Sequence, residues 1–263
     1  MSFRILAIGD IVGTPGRTAV RELLPDLVSA HQIDFVVANA ENMVSGSGIT
    51  TKTHDKLINY GVDAITSGDH IWRRMEVTDR LIPGGRLLRP ENYPPDCPGR
   101  GVSIIESKSG AKVAIINVLG RLFMQPIDCP YQAVDRALEE IGVKTRIILV
   151  DFHAEATSEK ISMGWYLEGR ISALWGTHTH VQTSDNKILP EGTAYITDLG
   201  MTGAHHSVLG RKIEPVLRKM IKQLPAPFDV AEEDLRLSGA VITVDAETGR
   251  ATEIERVHVS YAP

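Results

Sequence analysis

The residues of this chain that could do chemistry recur at similar places. Gly9-Asp10, Glu41-Asn42, Gly68-Asp69-His70, Asp151-Phe152-His153 and Gly176-Thr177-His178-Thr179-His180 each close or follow a short apolar run. Together they supply carboxylates, an amide and four imidazoles. Mixed nitrogen and oxygen donors without sulfur suit iron, manganese, zinc or similar ions. A single zinc site takes about four ligands. Asp10, Glu41, Asn42, Asp69, His70, His153, His178 and His180 exceed that, so two ions match better than one. A carboxylate can bridge two ions. A pair about 3.5–4 Å apart polarises a phosphoryl group and activates water.

Each piece alone has an ordinary reading. Gly-Asp after a strand is usually a turn, Asn42 a local cap, and His70 or His153 a partly buried histidine. His178 and His180 weigh more, because alternation on an extended segment puts both rings on one side. The argument rests on the joint pattern, always after a strand.

The elements that must position these residues can be read around them. Apolar runs at 5–9, 35–40, 63–68, 146–152, 172–176 and 193–198 read as strands, and the spacing predicts a helix from Pro15 to Ala30 with Val20, Leu23, Leu24 and Leu27 on one face. Residues 102–107 and 111–118 read as a hairpin, and 240–260 as a final hairpin turning near Glu247-Thr248-Gly249. Thr50 and Thr51 read as a helix start. Strands alternating with helices imply a layered α/β fold. The hairpins make its sheets mixed. In such sheets ligands gather beyond the carboxyl ends of the strands, so five strand ends can face one crevice. Residues 82–100, with Pro83, Pro90, Pro94, Pro95 and Pro98, read as a long irregular connection of the functional or mobile kind, and not as a domain linker.

Composition narrows the partners. The chain has 263 residues, is 43% hydrophobic and 23% charged, and carries a formal net charge of -5. That length fits one domain, residues 1–263. The charge offers no footprint for long nucleic acid, and with 5% aromatics stacking platforms are scarce. A small phosphodiester or nucleotide remains a suitable substrate. Cys97 and Cys129 form no framework, which favours a reducing, cytoplasmic setting. No run nears the ~18 apolar residues needed to span a membrane. Trp72, Trp165 and Trp175 read as packing residues.

IGDIVGTPGR, VANAENMVSGSGIT, TSGDHIW, VDFHAEATSEK and GTHTHVQTSD resemble the motif series of calcineurin-type metallophosphoesterases. More narrowly they resemble the YmdB-like branch, a family of 2′,3′-cyclic-nucleotide 2′-phosphodiesterases. The resemblance runs from about residue 4 to 215. It implies a four-layer α/β/β/α sandwich of two mixed sheets flanked by helices. It implies two divalent metal ions, iron or manganese favoured and zinc as an alternative. Asp10, Glu41, Asn42 and His180 would hold the first ion. Glu41 would bridge to the second, completed by Asp69, His153 and His178. His70 would act as general acid or positive donor over the phosphate. It also implies self-association, for which the Pro-rich connection offers a surface.

Two departures from the wider superfamily stand out. Its Asp-x-His is here Asp10-Ile11-Val12, with Asn42 as a compensating ligand. Its Gly-Asn-His is here Gly68-Asp69-His70, which adds a negative charge. The expected activity is hydrolysis of small phosphodiesters by a hydroxide held between two ions. The rivals are a phosphomonoesterase and a regulatory module that binds a metal or nucleotide without turnover. An amidohydrolase barrel would place His-x-His early, and a dinucleotide fold would need Gly-x-Gly-x-x-Gly, absent around Gly9. Arg17 and Arg73 are candidate phosphate contacts or solvated arginines. The 197–203 segment is a candidate pocket wall, and His205 and His206 are loop residues or substrate contacts.

Overall fold

Strands buried on both faces set the architecture. In β1 (Ser2–Ile8), Phe3, Ile5 and Ala7 enter one apolar cluster while Leu6 and Ile8 enter another. In β7 (Ile147–His153), Ile147 and Leu149 join the first cluster, and Ile148, Val150 and Phe152 join a third. A strand wrapped on both faces reads as a continuous apolar run. The computed structural model describes residues 2–262.

One sheet has seven strands. β2 (Asp10–Ile11), β11 (Met201–Ala204), β12 (Leu235–Asp245), β1, β3 (Phe35–Asn39) and β4 (Ala64–Thr66) follow in that order, with β13 (Ala251–Ser260) on the other side of β12. The other sheet runs β5 (Val102–Glu106), β6 (Lys112–Leu119), β7, β8 (Ala173–Thr177), β10 (Ala194–Ile196) and β9 (Lys187–Ile188). Both are mixed. β1, β3 and β4 are parallel, as are β6, β7, β8 and β10, while β12–β13 and β5–β6 are the antiparallel hairpins.

Helices cover the outer faces. Val20, Leu24 and Leu27 of α1 (Gly13–His31) and Leu57 of α2 (Thr51–Tyr60) pack on the seven-stranded sheet. Ala133, Val134, Ala137 and Ile141 of α3 (Pro130–Ile141) and Met163 and Leu167 of α4 (Thr157–Leu167) pack on the other. Three apolar clusters thus fill three interfaces of a four-layer α/β/β/α sandwich, the expected fold. Helix α1 starts at Gly13, two residues earlier than read. Thr50 caps α2, accepting from the Thr53 amide at 3.2 Å. α5 (Ile213–Lys222) buries only Val216.

The 82–100 connection is irregular but tied down. The Arg89 side chain is buried and donates to Pro90 O at 2.7 Å and Pro98 O at 3.2 Å. Asn92 donates to Leu119 O at 2.7 Å and accepts from Leu119 N at 2.9 Å. Trp175 is core and Trp72 stacks edge-on against Tyr93, but Trp165 is half-exposed, since its side of α4 faces away from the sheet. No helix among the described residues is long and apolar enough to cross a membrane.

Candidate metal centre

The parallel strands of both sheets end along one edge, and there the chain turns polar. Asp10 follows β1, Glu41 and Asn42 follow β3, and Asp69 and His70 follow β4. His153 ends β7, and His178 and His180 follow β8. All eight residues meet. The seven-stranded sheet brings every carboxylate and the amide, and the six-stranded sheet brings His153, His178 and His180.

Four of them form a tight group: one ligand atom each from Glu41, Asp69, His153 and His178 lie within 4.8 Å of one another. His153 Nε2 is 3.2 Å from Glu41 Oε2, 3.4 Å from Asp69 Oδ1 and 3.1 Å from His178 Nδ1. Ligands about 2.1 Å from a tetrahedral ion stand roughly 3.4 Å apart, so the spacing suits a cation. Gly68 makes the crowding possible, because a Cβ there would collide with Glu41 and His153.

Asp10, Asn42 and His180 adjoin this group on the other side of Glu41. His180 Nε2 is 3.1 Å from Asn42 Nδ2 and 3.8 Å from Asp10 Oδ1. The Asn42 nitrogen also donates to Glu41 Oε1 at 3.0 Å, and its oxygen accepts from His70 Nδ1 at 2.9 Å. Ligating an ion through that oxygen would require a half-turn of the amide.

Two buried carboxylate oxygens, Asp10 Oδ1 and Asp69 Oδ1, have no hydrogen-bond partner. Buried polar atoms are almost always paired. One orphan in each half of the cluster, both beside imidazole nitrogens, is what cation ligands look like without the cation. The residues present therefore fit the implied group.

The charges are mutually dependent. Burial pushes the Asp10 carboxyl up to about 6 against the pull of His180 and His153. Burial opposes ionisation of Glu41 too, but His153 and His70 hold its pKa well below the usual value. His153 is driven down by burial and, more strongly, up by Glu41, Asp69 and Asp10. Burial and the His153 charge lower His178 to about 4. His70 is raised by its hydrogen bond to Glu41, against burial.

Several supporting residues escaped the sequence reading. The Thr177 hydroxyl donates to Asp151 Oδ1 at 2.7 Å and so must accept from His153 Nδ1 at 2.9 Å. That leaves His153 Nε2 facing the cluster. Glu155 Oε2 lies 3.0 Å from His178 Nε2 and leaves Nδ1 facing inward. Ligating histidines usually have such an outer partner. Asp151 had a signal, being two residues before His153 on a strand and so on the same face. Glu155 had none.

Other candidates lie elsewhere. Arg17 hydrogen-bonds Met43 O and Thr14 Oγ1, so it braces the loop after Asn42 and does not reach into the cluster. Arg73 is exposed on a short 3-10 turn. His205 turns its Nε2 to Met201 O at 3.2 Å, and exposed His206 pairs with Glu233 at 2.9 Å. In the 197–203 segment Asp198 is fully buried behind the cluster.

A cleft of about 360 Å³ opens over the group. Glu41, His70, His178 and His180 line it together with the apolar Leu209, Val216, Met220 and Phe228. An ester with an anionic centre and a less polar substituent fits such a cleft.

Comparison with known proteins agrees. Residues 6–257 match the family of YmdB-like proteins. The chain is 46% identical over 257 residues to the 2′,3′-cyclic-nucleotide 2′-phosphodiesterase of Bacillus subtilis (strain 168), covering 98% of this chain and 97% of that protein. A crystal structure of a hypothetical protein from Thermus thermophilus superposes with a TM-score of 0.91 at 40% identity, covering 99% of this chain and 100% of that one. A crystal structure of a novel phosphatase from Mycoplasma pneumoniae gives 0.92 at 31% identity, covering 99% and 94%.

Proposed function

The chain belongs to the YmdB-like family, and on that premise we propose that it is a metal-dependent phosphodiesterase acting on 2′,3′-cyclic nucleotides or similar small phosphodiesters. The observation that carries this is the convergence of five strand ends on one cleft with two orphaned carboxylate oxygens. The match over residues 6–257 supports one metallophosphoesterase domain, and two free cysteines fit a reducing cytoplasm.

In this reading Asp10, Asn42, His180 and Glu41 would hold one ion, and Glu41, Asp69, His153 and His178 would hold a second. The donor set suits iron or manganese, with zinc as the alternative. When bound, such a pair polarises the phosphoryl group and activates water. The rest falls to the chain's own residues. Water adds across one P–O ester bond, giving a phosphomonoester and a free hydroxyl. His70 lines the cleft and is the general acid for the departing oxygen. Its Nδ1 lies 3.1 Å from Glu41 Oε1, which can only accept. Nε2 is therefore the nitrogen that exchanges a proton in the cleft.

Similarity to the Mycoplasma phosphatase favours a second reading, phosphomonoester hydrolysis. Rates on 2′,3′-cyclic AMP and on p-nitrophenyl phosphate, after chelation and again after adding Mn²⁺, separate the two. We expect metal-dependent cleavage with the diester preferred. A faster monoester rate would sink the diesterase reading, and a chelation-insensitive rate the metal centre.

A further inference from the structure

We propose that Asp198, charge-balanced by Lys160, is a positioning residue. Through the Thr179 hydroxyl it fixes the His178-Thr179-His180 turn and thereby sets the cation affinity of the cluster. This rests on the metal-centre reading above.

The turn needs holding. His178 has φ +92° and His180 φ +65°, both in the left-handed region that side chains with a Cβ rarely adopt. Such a backbone persists only where its surroundings over-determine it. Here they do so at Thr179. Its hydroxyl donates to Asp198 Oδ2 at 2.6 Å, and its backbone N–H points to the same oxygen at 3.3 Å. Lys160 Nζ donates to that oxygen at 2.7 Å and to the Thr179 hydroxyl at 3.2 Å. Lys160 is 1% exposed and Asp198 0%.

The same carboxylate reaches a second ligand-bearing segment. Asp198 Oδ1 accepts from Gly200 N at 2.7 Å, and Gly200 O accepts from Asp10 N at 3.1 Å. One buried side chain is thus linked to the backbones around Asp10, His178 and His180. Gly176 leaves the passage for Lys160, whose Cδ would be 2.7 Å from a Cβ there. A buried ion pair is weak evidence of a stabilising role, since apolar residues often replace it without loss. What apolar residues cannot do is hold a hydroxyl at a fixed point between two ligands.

The test is Mn²⁺ binding to chelator-treated protein, followed by competition with a chromophoric indicator. Thr179→Val removes the hydroxyl, keeps the branched shape and leaves the Lys160–Asp198 pair in place. We expect its Mn²⁺ dissociation constant to rise about 10- to 100-fold with an unchanged circular dichroism spectrum, and Thr179→Ser to restore most of the loss. Thr179→Ala, which adds nothing to repack, carries the same expectation and decides the matter if the valine variant does not fold. Wild-type affinity in a folded Thr179→Val or Thr179→Ala protein, or a serine variant as weak as valine, overturns the proposal. Wild-type protein that binds no Mn²⁺ overturns the metal centre itself, and this inference with it.

Discussion

Replacing Thr177 by valine tests the support behind His153 with almost no change of volume. The hydroxyl is fully buried between Asp151 Oδ1 at 2.7 Å and His153 Nδ1 at 2.9 Å. Asp151 Oδ2 keeps Thr66 and Asn39 as partners, so the variant strands two groups, the other Asp151 oxygen and the His153 N–H. Each buried unpaired group costs about 1–3 kcal/mol, together about 2–6 kcal/mol. For a chain of this size that lowers Tm by roughly 5–20 °C. A second effect is separable. Without its acceptor, His153 Nδ1 no longer dictates which nitrogen faces the cluster, so Mn²⁺ affinity should fall about 10- to 100-fold. Differential scanning calorimetry with chelator reads the first, and metal titration of the chelated protein the second. Thr177→Ser should recover both. A valine variant melting within a degree of wild type, with unchanged affinity, would refute the relay.

Three more expectations follow from the geometry. Glu41→Ala should empty both proposed ion positions, as elemental analysis of protein purified without chelator would report; two retained ions and a full rate contradict the bridging role. His70→Gln should lower kcat about 10²- to 10⁴-fold at unchanged metal content, whereas lost metal would make His70 a ligand. Asp185 accepts from the Thr183 and Thr197 hydroxyls and from Thr197 N, which outweigh burial and depress its carboxyl. A depressed carboxyl stabilises above its unfolded pKa and loses that contribution as pH falls through the folded value. Asp185→Asn should therefore cost about 1 kcal/mol near pH 7, with the Tm gap to wild type closing below about pH 4; a gap independent of pH would rule out the charge.

The strands and the ligand motifs were legible for the same reason. β1, β3 and β7 are sandwiched on both faces, so each shows as an unbroken apolar run, and the first polar residue past it marks the site edge. β2, β9 and β11 span two to four residues and carry no periodicity. α5 carried a signal that went unread: Ile213, Val216, Leu217, Met220 and Ile221 recur at helical spacing, with Pro215 in the first turn and Pro225 just past the end. Arg17 looked like a phosphate contact from its place after a motif, but its guanidinium is occupied by the backbone at Met43. Lys160 closes VDFHAEATSEK and Asp198 lies in the 197–203 segment, but their pairing left no trace, since a lysine on a helix reads as solvated until a carboxylate 38 positions away is known to lie against it.

The division of donors between the two sheets has a consequence for how the protein assembles. Every proposed oxygen ligand comes from the β1–β3–β4 side and every nitrogen ligand from the β7–β8 side. Neither half carries a full coordination shell, so high-affinity capture of a cation must wait until the halves have docked. Metal uptake would then be a late event in maturation and a reporter of completed docking. An ion, once seated, would rivet the two halves at the one edge where the apolar filling between them runs out.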